Sequence, residues 1–163
     1  RGVLQMVKFA GGLICVKDIQ RSRRLYEELL EQTMLENFGE NIVYMGFSLQ
    51  EKRCWASFLD VAPVDIKAGC YDHELYFETE DLYGFIEKMK AYDVKLYQPI
   101  QVSNWGQRMI RFFDYDDHMI EVGESMDYLM LNYIKQGHSV EETHEKYQFS
   151  IDYINNLLKR QIS

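Results

Sequence analysis

Ile14-Cys15-Val16-Lys17-Asp18-Ile19 has a counterpart 63 residues later in Phe77-Glu78-Thr79-Glu80-Asp81-Leu82. Each run begins strand-like and ends at an aspartate. Each aspartate opens a segment of helical composition, Ser22 to Leu30 in the first copy and Tyr83 to Met89 in the second. Aspartate suits such a junction because its carboxylate accepts from the free N–H groups of a helix's first turn. Leu25, Leu29 and Leu30 give the first helix an apolar face, and Leu82, Phe85, Ile86 and Met89 do the same for the second at spacings of three and four.

Short strand candidates follow each helix. The first half offers Met34 to Phe38, Asn41 to Met45, Phe47 to Gln50 and a further run, Cys54 to Leu59, with Gly39 and Gly46 as punctuation. The second half offers Lys95 to Tyr97, Arg108 to Phe113 and His118 to Val122, the last two joined by the polar turn Asp114-Tyr115-Asp116-Asp117. The chain therefore reads as α+β, with two βαβββ modules in tandem at residues 1–70 and 71–124 and a helical tail at 125–163. One such module leaves an apolar sheet face open, and two can close that face into a shared core.

Length and composition agree. A chain of 163 residues suits one compact domain or two small modules sharing a core. No run approaches the roughly 20 apolar residues of a membrane helix, and the N-terminus lacks a secretory apolar region. The net charge of −8 sits in the middle third, where residues 71–124 hold twelve acids against five bases. Nucleic acid is a poor partner for that segment, whereas a cation is electrostatically easier. Cys15, Cys54 and Cys70 form no C-x-x-C pair, so reduced thiols in a cytoplasmic protein are the expectation.

Several stretches resemble a known family. Val16-Lys17-Asp18-Ile19 followed by Leu25-Tyr26-Glu27-Glu28-Leu29-Leu30, then Trp105-Gly106-Gln107-Arg108, and finally Phe113-Asp114-Tyr115-Asp116-Asp117-His118-Met119-Ile120-Glu121-Val122 look like vicinal oxygen chelate modules. That superfamily holds glyoxalase I, bleomycin-resistance proteins and extradiol dioxygenases. The last stretch matches the family's aspartate–proline–aspartate–glycine turn before a glutamate-bearing strand, with Tyr115 for proline and Asp117 for glycine. The resemblance spans about residues 7–124 and implies curved sheets forming a cleft.

The resemblance also implies a site. Metal-dependent members draw ligands from early in each first strand and from each last strand, which here gives Gly11, Gln50, Glu74 and Glu121. Glycine offers no ligand and no histidine falls into the set, so the metal candidates reduce to Gln50, Glu74 and Glu121. Dioxygenase activity is not expected, because its two-histidine-one-carboxylate set is missing. Two carboxylates and an amide better suit a hard divalent ion. Glu121, flanked by apolar residues, is the candidate catalytic base, metal ligand or cation clamp, with a structural pair to Arg108 or Arg111 as the alternative. Tyr44, Phe47, Trp55, Tyr76, Tyr97, Trp105 and Arg108 are candidate ligand-binding residues, the aromatic ones because they stack flat or cationic ligands.

Two functions stay open on this reading. One is a lyase or isomerase of the glyoxalase type assisted by a single divalent metal. The other is a metal-free protein sequestering an antibiotic-like small molecule. No phosphate loop, dinucleotide fingerprint or nucleophile elbow occurs. In the tail, Met126 to Gln136, Val140 to Tyr147 and Ile151 to Lys159 read as helices, with Ser139 and Glu142 as a capping box. The tail's cadence resembles a helix-turn-helix, but its last helix carries Asp152 and keeps Lys159 and Arg160 for its end, so DNA is not expected. Its leucines and isoleucines suggest packing on the modules or in a homodimer.

Overall fold

The computed structural model describes residues 7–161, so the first six residues of the expected first module and the last two of the tail lie outside the described residues. Two four-stranded sheets are present, with the orders β1-β4-β3-β2 and β5-β8-β7-β6. The chain divides into two compact units. One comprises the chain up to His73 with Tyr92–Val94 and Phe113–Met119, and the other comprises Glu74–Ala91, Lys95–Phe112 and the chain from Ile120 onward.

In the first unit, β1 (Gly12–Val16) runs parallel to β4 (Phe47–Glu51), and β3 (Asn41–Val43) pairs antiparallel with both β4 and β2 (Glu36–Asn37). The connection from β1 is α1, Ile19–Arg23, whose last turn widens into a π-helical stretch over Arg24–Leu29. Asp18 caps α1 by accepting from Arg21 N. Ile14, Val16 and Leu49 meet Leu25, Tyr26 and Leu29 in a core from which water is almost wholly excluded.

The Cys54–Leu59 run is not a strand. It lies in α2, Lys52–Leu59, which begins where β4 ends. The Glu51 carboxylate accepts from Cys54 N at 2.8 Å, and Asp60 closes the helix in the left-handed conformation at φ 55°. The capping pattern, invisible to an apolar count over six residues, decides the element.

The second unit repeats the plan. β5 (Leu75–Thr79) runs parallel to β8 (Met119–Glu124), with β7 (Arg108–Phe113) and then β6 (Lys95–Val102) completing the sheet. Asp81 caps the crossover helix α3, Leu82–Met89, by accepting from Gly84 N. β6 runs well past Tyr97. It tolerates Pro99 because it is an edge strand, where a missing N–H breaks no second ladder.

The tail forms α4 (Met126–Lys135), α5 (Val140–Tyr147) and α6 (Ile151–Arg160). Met126, Met130, Ile154 and Leu157 make its core, with Leu129, Leu131 and Ile134 packed around them. The Ser139–Glu142 capping box is complete, each side chain bonding the other's backbone N–H. α4 starts directly from β8, and its first N–H donates to the Glu78 carboxylate of β5. Among the described residues no helix is long and apolar enough to cross a membrane.

Candidate functional site

Strand alternation sorts the second sheet into two faces. Ile120 and Val122 are buried on the side of α3, where Phe85 packs against Phe112. Glu121 therefore points to the opposite face. Its register partner is Tyr76, and Gly123 pairs with Glu78. Gly123 is small for a reason: a Cβ there would lie 2.6 Å from Gln107 Nε2 and 3.4 Å from the Tyr76 ring.

Glu121 is only 5% exposed. Its Oε2 forms an ion pair with the Arg111 guanidinium, whose Nε also lies 3.5 Å from Glu74 Oε2. Arg111 thus stands between the two carboxylates, and Glu121 Oε2 has no aligned hydrogen bond among the described residues. Burial, and then the charge of Glu74, push the Glu121 carboxyl above its ordinary value, with Arg111 opposing. A formal charge of −1 remains on this trio when all three are ionised.

A hydrogen-bonded network lies beside it. Gln107 Nε2 donates to Tyr76 OH at 2.8 Å and to the Glu124 carbonyl at 2.9 Å, while Trp105 Nε1 donates to Gln107 Oε1 at 3.1 Å. Tyr76 donates onward to Glu78. Burial and the Glu78 acceptor hold the Tyr76 phenol up at about 12, despite the Gln107 donor, so it is a neutral donor at any working pH. Sequence reading passed over Gln107, although its place two residues after a tryptophan, across a glycine turn, is a signal for a side chain folded back under that ring.

Arg108 belongs to a different set. Its guanidinium bonds Glu124 at 2.5 and 3.1 Å and Tyr83 OH at 3.2 Å. Burial opposes ionisation of Glu124, yet these bonds hold its carboxyl below the ordinary range. The arginine partner of Glu121 is Arg111, not Arg108. Tyr97 and Trp105 are about half exposed.

In the first unit, Tyr44 and Phe47 turn into the core, where they stack with ring centroids 5.0 Å apart beneath Tyr26. Phe47 shares the helix-side face with Leu49, and the Tyr44 hydroxyl donates to Glu27. Both also wall a pocket of about 250 Å³ at the start of β1. Trp55, on α2, lines a separate cavity. Gln50 is buried with its amide bonded to Asn41 and to the Glu40 carbonyl.

The register corrects one equivalence. Gly12 pairs with Phe47 and Leu13 with Ser48, as Leu75 pairs with Ile120 and Tyr76 with Glu121. The counterpart of Glu121 is therefore Ser48, and Gln50 corresponds to Gly123. A two-residue slip keeps every side chain on its own face, so alternation gave no warning.

These donors do not fit a divalent metal. Arg111 already supplies the cation between Glu74 and Glu121. The first unit offers Gly11 and Ser48 at the matching places, and Gln50 has its amide engaged. Among the described residues no group of three or more His, Cys, Asp or Glu is assembled to hold an ion.

Two βαβββ sheets with parallel outer pairs, carrying a glutamate on the last strand of the second, define a vicinal oxygen chelate fold. The family model of the glyoxalase-like domain matches residues 9–127, and the chain belongs to that family. A protein of unknown function from Agrobacterium tumefaciens is similar at 32% identity and a TM-score of 0.65, covering 75% of this chain and 97% of its own. The fosfomycin resistance protein FosX from Listeria monocytogenes shares the fold at 16% identity and TM-score 0.56, over 74% of this chain and 95% of its own. A glyoxalase-related enzyme from Fulvimarina pelagi does so at 21% and 0.57, over 75% and 89%. No curated protein matches. The family match ends at Asp127, ahead of almost all of the three-helix tail.

Proposed function

We propose that this member of the glyoxalase-like family is a metal-independent small-molecule binding protein that holds a cationic ligand at Glu74 and Glu121 on the open face of the second sheet. The observation carrying this reading is Arg111, which occupies the space between two carboxylates that a metal-dependent relative would devote to an ion. The trio keeps one net negative charge, with the Glu121 carboxylate buried against Arg111. Tyr76 and Trp105 supply aromatic surface beside it, suited to a flat or cationic body. Antibiotic sequestration of the bleomycin-resistance kind is the version with the most direct test.

A second reading, a metal-independent lyase or isomerase, is supported by the elevated Glu121 carboxyl, a feature of proton-transferring groups. Tryptophan quenching during titration with a bleomycin-type glycopeptide and with simpler cationic aromatics tests the first reading. Saturable, salt-sensitive quenching is expected, and a flat response across the set removes it. Calorimetry with Ni, Zn, Mn and Mg is expected to show no binding; a site that takes up a stoichiometric ion overturns the metal-independent assignment. Pairing of two chains is part of the proposal, supported by the exposed Phe38, Met45 and Phe58. Sedimentation showing only a 19 kDa species at micromolar concentration removes that part.

A further inference from the structure

The first unit holds a second constellation. Asp114, Asp116 and His118 come from the turn between β7 and β8. Asp114 is saturated by four donors. Its Oδ1 accepts from the backbone N–H groups of Asp116 and His118, each at 2.9 Å, and its Oδ2 accepts from Tyr26 OH at 2.7 Å and His118 Nδ1 at 2.9 Å. An ionised carboxylate only accepts, so Nδ1 carries the proton in that bond and the ring orientation is fixed. His118 is 5% exposed. Its Nε2 meets no protein partner among the described residues.

That imidazole lines a cavity of about 280 Å³ walled by Leu13, Ile14, Trp55 and Ile66, and an adjoining one of about 100 Å³. The two share Cys15, Ile66, Lys67, Ala68 and His118. The volume is at the small end for ligand pockets, which run from about 300 Å³ upward. The charges around the pair of cavities balance, with Lys17, Lys52 and Lys67 against Asp72, Asp116 and Asp117. His118 adds a charge that the Asp114 carboxylate bonded to it offsets. Burial disfavours the charged form of His118, but the Asp114 hydrogen bond and the charges of Asp114, Asp116 and Asp117 together raise it above its ordinary value. Cys15 is not a second reactive group, because burial pushes its thiol up to about 11 and leaves it protonated.

We propose that this cavity is a binding site for a small aromatic carboxylate, whose ring lies against Trp55, Leu13 and Ile66 and whose carboxylate accepts from the Nε2–H of the His118 imidazolium. Neither Glu74 nor Glu121 lines these cavities. A buried imidazole braced by a saturated aspartate, facing a space with Leu13, Trp55 and Ile66 on its walls, is preorganised to give one strong, directional hydrogen bond.

The test uses the 15N-labelled full chain and long-range imidazole spectra, in which the four histidines give separable signals. Benzoate is the probe, with benzamide and benzylamine as neutral and cationic controls. Benzoate is expected to shift the His118 Nε2 resonance saturably in the millimolar range, with benzamide about tenfold weaker or more, and benzylamine without effect. His118→Asn identifies the signal and is expected to lose the response. Should that buried change prevent folding, Cys15→Phe fills the cavity beside an intact Asp114–His118 pair and is expected to lose benzoate binding while keeping the His118 resonance. Glu121→Gln is expected to leave benzoate binding unchanged, which separates this site from the cation site. The proposal is overturned if benzoate does not move the His118 signal, if benzamide binds as well as benzoate, or if Cys15→Phe binds benzoate like the parent.

Discussion

Glu121→Gln separates the proposed ligand-binding role of this carboxylate from a structural one. The substitution keeps shape and removes charge. A unit pair about 4 Å apart is worth about 4 kcal/mol at an effective dielectric constant of 20, and taking a carboxylate out of water costs several kcal/mol. The upward displacement of the Glu121 carboxyl shows which side wins: burial and Glu74 together outweigh Arg111. Arg111 also keeps Glu74 as counter-charge, at 3.5 Å, after the change. Glu121→Gln is therefore expected to alter stability by no more than about 1 kcal/mol, a melting shift of roughly 2–4 °C, with stabilisation the favoured sign. The pH dependence sharpens this. A carboxyl raised in the folded state binds its proton more tightly there than in the unfolded chain, so the parent loses stability as pH rises from the unfolded value through the folded one. The advantage of the glutamine variant should thus grow over that window and vanish below it. Urea titrations between pH 4 and 8 measure the difference, and quenching measures ligand binding, expected to be lost. A loss near 3 kcal/mol with ligand binding intact would refute the reasoning and make Glu121 half of a structural pair.

Removing the cation instead should be worse. Arg111→Met leaves Glu74 and Glu121 facing one another, and a loss of about 2 kcal/mol at pH 8, shrinking as pH falls toward 5, is expected in the same titrations. Tyr26→Phe deletes the buried hydroxyl that donates to Asp114 and should cost about 1.5–3 kcal/mol by urea unfolding. Gly123→Ala places a methyl group 2.6 Å from Gln107 Nε2, so a loss of about 1–3 kcal/mol is expected together with changed Trp105 emission as the Gln107 network breaks. Ser139→Ala removes half of a complete capping box and should cost about 1 kcal/mol, read as faster amide exchange at the start of α5.

Much of the fold was legible because it rests on local chemistry that repeats. Asp18 and Asp81 each stand at the end of a strand and accept from the third residue beyond, and that one feature fixes both crossovers. Ser139 and Glu142 did the same for the tail. The failure at Cys54–Leu59 has the same physics in reverse: the cap there is Glu51, an uncommon capping residue at the end of a strand, so an apolar hexapeptide read as strand when its N-terminal partner made it helix. The strand lengths were less legible, since β6 continues through Pro99 only because its far side meets no neighbour.

The site was harder to read, because chemistry there depends on distance across strands, not on order along them. Glu121 stood out in sequence as a carboxylate among apolar residues. Which arginine met it was undecidable, since Arg108 and Arg111 lie on the same strand three residues apart and so on opposite faces. The structure assigns them cleanly: Arg108 serves Glu124 on the helix side and Arg111 serves Glu121 on the open side. That parity carries the functional argument. Had Arg111 faced the helix side as Arg108 does, Glu74 and Glu121 would have stood without a cation, and a metal would have been the natural third charge. With Arg111 there, the second sheet brings its own cation, and the trio keeps one net negative charge, which on the proposed reading favours an ammonium or guanidinium group over a divalent ion.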